Sequence, residues 1–128
     1  MKKFKKIILG ILALLVLIIA GAGIYITKGL EAGAALVINR VNVSQLNDGI
    51  YNGKYDGGRW SNEVNVTILD GRITKIDIVK SVLVDNPETT KALINSVISK
   101  QDTNIDVISG ATVTSKAYLK SIENALNK

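Results

Sequence analysis

The sequence predicts a small α+β domain, an antiparallel sheet packed with two helices, held behind one N-terminal transmembrane helix. Three observations carry this expectation. An uncharged, largely apolar run of 20 residues stands near the N-terminus. Further on, two segments of alternating apolar and polar residues are separated by Asp70-Gly71. After them come two segments whose apolar residues recur at helical spacing.

The apolar run is Ile7 to Ile26. A helix over it rises ~1.5 Å per residue and spans about 30 Å, the thickness of bilayer hydrocarbon. Lys2, Lys3, Lys5 and Lys6 precede it. The positive-inside rule keeps that end in the cytoplasm and puts the remainder on the outer face of the cytoplasmic membrane. Ala20-Gly21-Ala22 has the small-x-small look of a signal cleavage site. The apolar run continues past it through Ile24 and Ile26 and exceeds the ~7–15 residues of a signal core, so an uncleaved anchor is expected. The expected divisions are 1–27 for the cytoplasmic lysines and anchor, 28–46 for a linker or stalk, and 47–128 for the domain.

The net charge of +5 reflects this topology. Four of the 16 basic residues are the lysines before the anchor, which leaves 12 basic against 11 acidic residues beyond it. No basic stripe with interleaved aromatics is present, so nucleic acid is not an expected partner. The chain has no cysteine, which excludes disulfides, thiolate catalysis, iron–sulfur ligation and a lipid anchor through an N-terminal cysteine. It has no histidine, which removes the usual general base and most transition-metal sites. Redox chemistry here calls for an organic cofactor.

Within the domain, Asn47-Asp48-Gly49 is a turn signal, followed by a short strand over 50–55. Val64, Val66 and Ile68 alternate with Asn65 and Thr67, the pattern of a half-buried strand. Asp70-Gly71 joins it to a second strand over 72–80 as a two-residue hairpin. There Ile76 and Ile78 continue the buried face, and Lys75 and Asp77 face water. Asn86-Pro87-Glu88 breaks the chain. Thr89 is the expected cap of a helix over about 90–100, with Leu93, Ile94, Val97 and Ile98 as its apolar stripe. Residues 104–108 read as extended. A last helix is expected over about 116–126, with Tyr118, Ile122, Ala125 and Leu126 on one face and residues 109–115 as the connection into it.

That connection carries the chemistry. Residues 106–115 read Asp-Val-Ile-Ser-Gly-Ala-Thr-Val-Thr-Ser. A helix N-terminus offers free N–H groups and a partial positive charge, which suits a phosphate. Gly110 and Ala111 allow close approach to the backbone. The hydroxyls of Ser109, Thr112, Thr114 and Ser115 can donate to phosphate oxygens, or one can be esterified. Taken alone, such a run is more often a loop with an N-cap, Thr114 or Ser115.

In context the chain resembles the FMN-binding domain family. That domain occurs in the flavin-carrying subunits of sodium-translocating NADH:quinone reductase and of Rnf-type electron-transport complexes, and in small membrane-anchored flavoproteins. Asp48-Gly49-Ile50-Tyr51-Asn52-Gly53 looks like the family's D-G-x-Y-x-G opening. The segment from Val64 to Ile78 looks like its central hairpin, and Asp106 to Ser115 like its signature. The resemblance covers about 46–126. It implies FMN joined through its phosphate to a threonine hydroxyl, installed from FAD by a separate flavin transferase. The acceptor directly follows Gly-Ala, which is Thr112 here, with Thr114 second. Asp106, Ser109, Gly110 and Ala111 match the stretch the transferase reads.

The expected function is therefore an extracytoplasmic electron carrier that takes electrons from a membrane donor such as a quinol or a reductase. It is not an enzyme by itself. The alternatives are a ligand- or peptide-binding module without flavin, and an extracytoplasmic reductase. Tyr51, Tyr55 and Trp60 are aromatics that can stack on an isoalloxazine ring, or simply pack. Asp85 and Glu88 are read as solvated rather than metal-binding. Lys75, Lys80 and Lys91 are exposed cations with no assigned role.

Overall fold

The structure is a computed structural model that describes residues 1–27, 29–107 and 111–127. Its first element, α1 (Lys2–Thr27), buries none of its residues against the protein. This helix is long and apolar enough to cross a membrane. The short helix α2 (Leu30–Ala34) follows.

Three strands form one antiparallel sheet in the order β1 (Gly49–Tyr55), β2 (Asn62–Leu69) and β3 (Arg72–Lys80). Leu69 pairs with Arg72 across Asp70-Gly71. Both turn residues have positive φ, 52° and 71°, the conformation of a type I′ hairpin that Asp-Gly favours. Val64, Val66 and Ile68 are fully buried, as the alternation predicts. In β3 the register slips between Thr67 and Ile68, so Thr74 is an extra residue. The bulge brings Ile73 and Ile76 onto the buried face although they are three apart, and Ile78 is half-buried. The opposite face of the sheet is mostly polar, with Ile50 and Leu69 exposed towards the hairpin end. On this face Asn52 donates to Glu63 Oε1 at 2.8 Å and to Asn65 Oδ1 at 2.9 Å.

The helix α3 (Pro87–Lys100) starts earlier than expected. Asn86, not Thr89, caps it by accepting from the Thr89 N–H, and Pro87 occupies its first turn. Proline is pre-organised there and its missing N–H is not needed. Leu93 and Val97 are buried beside β3, while Ile94 and Ile98 pack at the core's edge. Gln101 ends the helix at φ 59° and clamps it to the sheet. Its side chain accepts from Ile73 N at 2.6 Å and donates to Ile73 O at 2.9 Å. Residues 104–107 form no strand; Ile108 lies outside the described residues.

The last helix, α4 (Thr112–Leu126), begins four residues before the expected start. It packs across β1 and β2 and buries Ala117, Tyr118, Leu119, Ile122, Ala125 and Leu126. The approach is close enough to need Gly53. A Cβ there would stand 2.0 Å from Ser121 O and 2.6 Å from Ala125 N.

Residues 34–46, read from sequence as linker, are stitched to the domain. Val41 and Val43 are in the core. Three rungs on one face of α4 hold the preceding stretch: Lys116 Nζ donates to Ala34 O at 2.8 Å, Lys120 Nζ to Val37 O at 3.4 Å, and Glu123 Oε1 accepts from Asn39 Nδ2 at 2.8 Å. Spacing of four and three residues puts these side chains in one row. Asp102 holds the next stretch, accepting from Arg40 Nε at 3.0 Å and Val41 N at 3.2 Å. Burial pushes the Asp102 carboxyl up, but the donors from Arg40, Val41 and Asn104 outweigh it and hold the pKa below the usual value.

Two expectations follow. Gly53→Val drives a branched side chain into the α4 backbone and lowers unfolding stability by about 3 kcal/mol or more in denaturant titration. The lowered pKa means that Asp102 stabilises the fold above the ordinary carboxylate range, and that this contribution is lost as pH falls through the folded value. Asp102→Asn should therefore be less stable than wild type at pH 7, with the gap closing on acidification, followed by circular dichroism melts.

Candidate functional site

Among the described residues no side chain caps α4. Ala111 precedes it with φ −135° and ψ 38°, and Thr112 is its first residue. The first helical N–H groups lack partners along the helix, and the macrodipole adds partial positive charge there. The Thr112 side chain is exposed. Neither Thr114 nor Ser115 acts as the cap that sequence reasoning offered. Thr114 is half-buried in the first turn, and Ser115 is buried, with its N–H bonded to Ala111 O at 2.8 Å.

A cavity of about 380 Å³ opens at this helix start, lined by Leu30, Arg59, Trp60, Ala111, Thr112, Val113 and Thr114. That volume is within the ~300–1,000 Å³ of small-molecule sites. Larger hollows lie elsewhere, about 490 Å³ beside Arg40 and Gln101 and about 440 Å³ beside Asn95 and Lys100. Neither is lined by an aromatic ring or an uncapped helix start, so chemistry and not size selects the cavity at Thr112.

Arg59 and Trp60 come from the turn Gly58–Trp60 between β1 and β2. The guanidinium carbon of Arg59 lies 4.2 Å from the Trp60 ring centroid, a cation–π contact. Trp60 is only 5% exposed. Arg59 Nε is buried with no hydrogen-bond partner among the described residues. A buried N–H on a cation without an acceptor is costly, and it marks a place where an anionic or carbonyl oxygen would be welcome.

The loop after β3 borders the same turn. Leu83 N donates to Arg59 O at 2.9 Å. The loop is pinned from below by Tyr118 of α4, whose hydroxyl accepts from Val82 N at 3.2 Å and donates to Asp85 at 3.0 Å. Burial, with the Asp85 carboxylate beside it, pushes the Tyr118 phenol up to about 12, so it stays protonated as a donor. Asp85 also accepts from Thr90 Oγ1 at 2.6 Å. It is thus half-buried and engaged, not merely solvated. Among the described residues no group of three or more His, Cys, Asp or Glu stands where it could hold a metal.

Of the residues singled out from sequence, the structure brings Ala111, Thr112 and Thr114 to the cavity. Ser109 and Gly110 lie outside the described residues. Asp106 is exposed and lines the separate hollow with Asn95 and Lys100. Of the three aromatics, only Trp60 reaches the cavity. Tyr51 bonds back to Asn47 O at 2.7 Å, and Tyr55 packs on Gly57. Arg59 was not singled out; its only sequence signal is a cation next to the chain's single tryptophan.

Removing the cation from over the ring should be visible directly. Arg59→Ala is expected to red-shift the Trp60 emission and raise its quenching by acrylamide severalfold, with little change in the far-ultraviolet circular dichroism.

Comparison with known proteins places this geometry in a family. The model of the FMN-binding domain matches residues 58–127, from the Arg59–Trp60 turn through the end of α4. An uncharacterised protein of Treponema pallidum (strain Nichols) is 30% identical over 88 residues. That match covers 66% of this chain and 24% of the relative, so the chain spans about a quarter of that protein's length. The chain belongs to the FMN-binding domain family, and FMN is its cofactor.

Proposed function

We propose that this protein is a membrane-anchored, extracytoplasmic electron carrier whose FMN is joined through its phosphate to Thr112. The observation that carries the reading is the placement of the Thr112 hydroxyl. It is exposed on the first residue of an uncapped helix and lines a cavity with Arg59 and Trp60.

The residues present fit the group. The N–H groups at the head of α4, and Arg59 Nε, which has no partner among the described residues, suit a phosphodiester's charge. Trp60 and Leu30 supply apolar wall for a ring system. Bound FMN supplies one- and two-electron redox chemistry that no side chain of this chain offers. The protein's part is to hold it, orient it and keep it from dissociating into the extracytoplasmic space. In the attachment step Thr112 Oγ1 bonds to the flavin-side phosphorus of FAD. The pyrophosphate bond breaks, AMP leaves, and the hydroxyl proton passes to a base on the transferase.

The other partners follow from the anchor. Lys2, Lys3, Lys5 and Lys6 favour a cytoplasmic N-terminus, which leaves the domain outside. A donor within the membrane, a quinol or a reductase, is then within reach, and the chain acts as a carrier rather than as an enzyme.

The test is an intact mass of the denatured protein after co-expression with a flavin transferase. Wild type and Thr114→Ala should gain one FMN less one water, and Thr112→Ala should gain nothing. An unmodified wild type beside a transferase that modifies a control substrate would overturn the covalent reading.

A further inference from the structure

The cavity, the anchor and an exposed apolar loop converge at one end of the molecule. The end of α1 lies against the Gly58–Trp60 turn. Gly29, just beyond α1, meets the same segment, since a Cβ there would stand 2.6 Å from Gly57 O. The first residue of α2, Leu30, lines the cavity beside Thr112. Gly33 of α2 abuts α4 at Val113, where a Cβ would stand 2.7 Å from Cγ1. The apolar run ends at Ile26, and the four residues from there to Leu30 reach at most about 14 Å even when extended. A headgroup layer is roughly 5–8 Å thick on each side of the hydrocarbon.

Leu83 and Val84 stand next to this turn, 64% and 68% exposed. They are not on a loose loop. The backbone bond from Leu83 to Arg59 and the Tyr118 bridge between Val82 and Asp85 hold the loop on both sides. Two adjacent aliphatic side chains held rigidly outward, beside the exit of an apolar helix, have an apolar surface already at hand. The rungs from α4 to Ala34, Val37 and Asn39 remove the slack that would let the domain drift from that surface.

We infer that the end of the domain bearing Leu30, Leu83 and Val84 rests in the headgroup layer of the membrane that α1 crosses, so that the Thr112 cavity opens at the lipid surface. This rests on the reading of α1 as an anchor, and it is independent of covalent flavin. The sheet then stands away from the membrane. Its hairpin end at Leu69 is about 24 Å from Asn62 at the cavity end of β2. The implied donor is lipid-soluble or itself embedded, since it meets the cavity without leaving the bilayer.

The chain's single tryptophan, Trp60, lines the cavity and reports on it. The full-length apoprotein is reconstituted in phosphatidylcholine vesicles carrying a nitroxide on the headgroup or deep on the acyl chain. The headgroup label should lower Trp60 emission at least twofold and the deep label much less. Because the chain has no cysteine, Leu83→Cys and Leu69→Cys can each carry an environment-sensitive dye. The dye at position 83 should shift to the blue on vesicles, and the dye at 69 should not. Protein that floats with vesicles while Trp60 is unquenched and the position-83 dye stays in water would overturn this inference alone. Protein that does not float would overturn the anchor reading and this inference with it. A blue shift at both positions would also overturn it, because the domain would then lie flat.

Discussion

The backbones of β1 and α4 meet at Gly53 with no side chain between them, and most of the molecule takes its position from that contact. It sets how closely α4 lies on the sheet. That seats Tyr118 under the loop after β3 and places Thr112 at the level of the Gly58–Trp60 turn. It also sets Lys116, Lys120 and Glu123 along one row, where the chain arriving from α2 binds them. The remaining apolar contacts, Val64, Val66 and Ile68 against Ile122 and its neighbours, fill the layer whose thickness Gly53 fixes.

The sheet was the most legible part of the fold. Strand alternation and Asp70-Gly71 are local signals, and each was strong enough to place the hairpin turn to the residue. Helix starts were harder, because two local rules competed. Pro87 was read as a breaker, but proline also suits a first helical turn, and Asn86 was present to cap it. The start of α4 was missed because the hydroxyls at 114 and 115 look like caps, while the actual cap, Ala111, has no side-chain acceptor at all. The Gln101 clamp leaves no periodic trace, since it joins distant segments, and the bulge at Thr74 shows only as the three-residue spacing of Ile73 and Ile76. The stitching of residues 34–46 likewise joins distant segments: Ala34 and Val37 take part through backbone carbonyls, and the side chains of Asn39, Arg40, Val41 and Val43 find partners far along the chain.

The site was legible in the same uneven way. Thr112 stood out through its setting and through the family resemblance, and the cavity is lined by it. Arg59 did not stand out, because a lone arginine in a turn is unremarkable until its Nε is found buried without a partner among the described residues and its head is found over Trp60. Asp106 shares a sequence segment with Thr112 but lines a different hollow. Nearness in sequence at the entry to a helix does not mean a shared pocket.

The row of bonds between α4 and residues 34–39 has a mechanical consequence. A domain on a loose tether samples a hemisphere of positions, and its partners meet it by its swinging. Here the chain that follows α2 is fastened along the helix that begins with Thr112, so that segment and the cavity turn as one piece. For a chain whose α1 lies in a membrane, encounters are then governed by sideways travel and rotation of the whole molecule in two dimensions. The crowding of its neighbours in that plane, more than the length of any linker, sets how often it meets them.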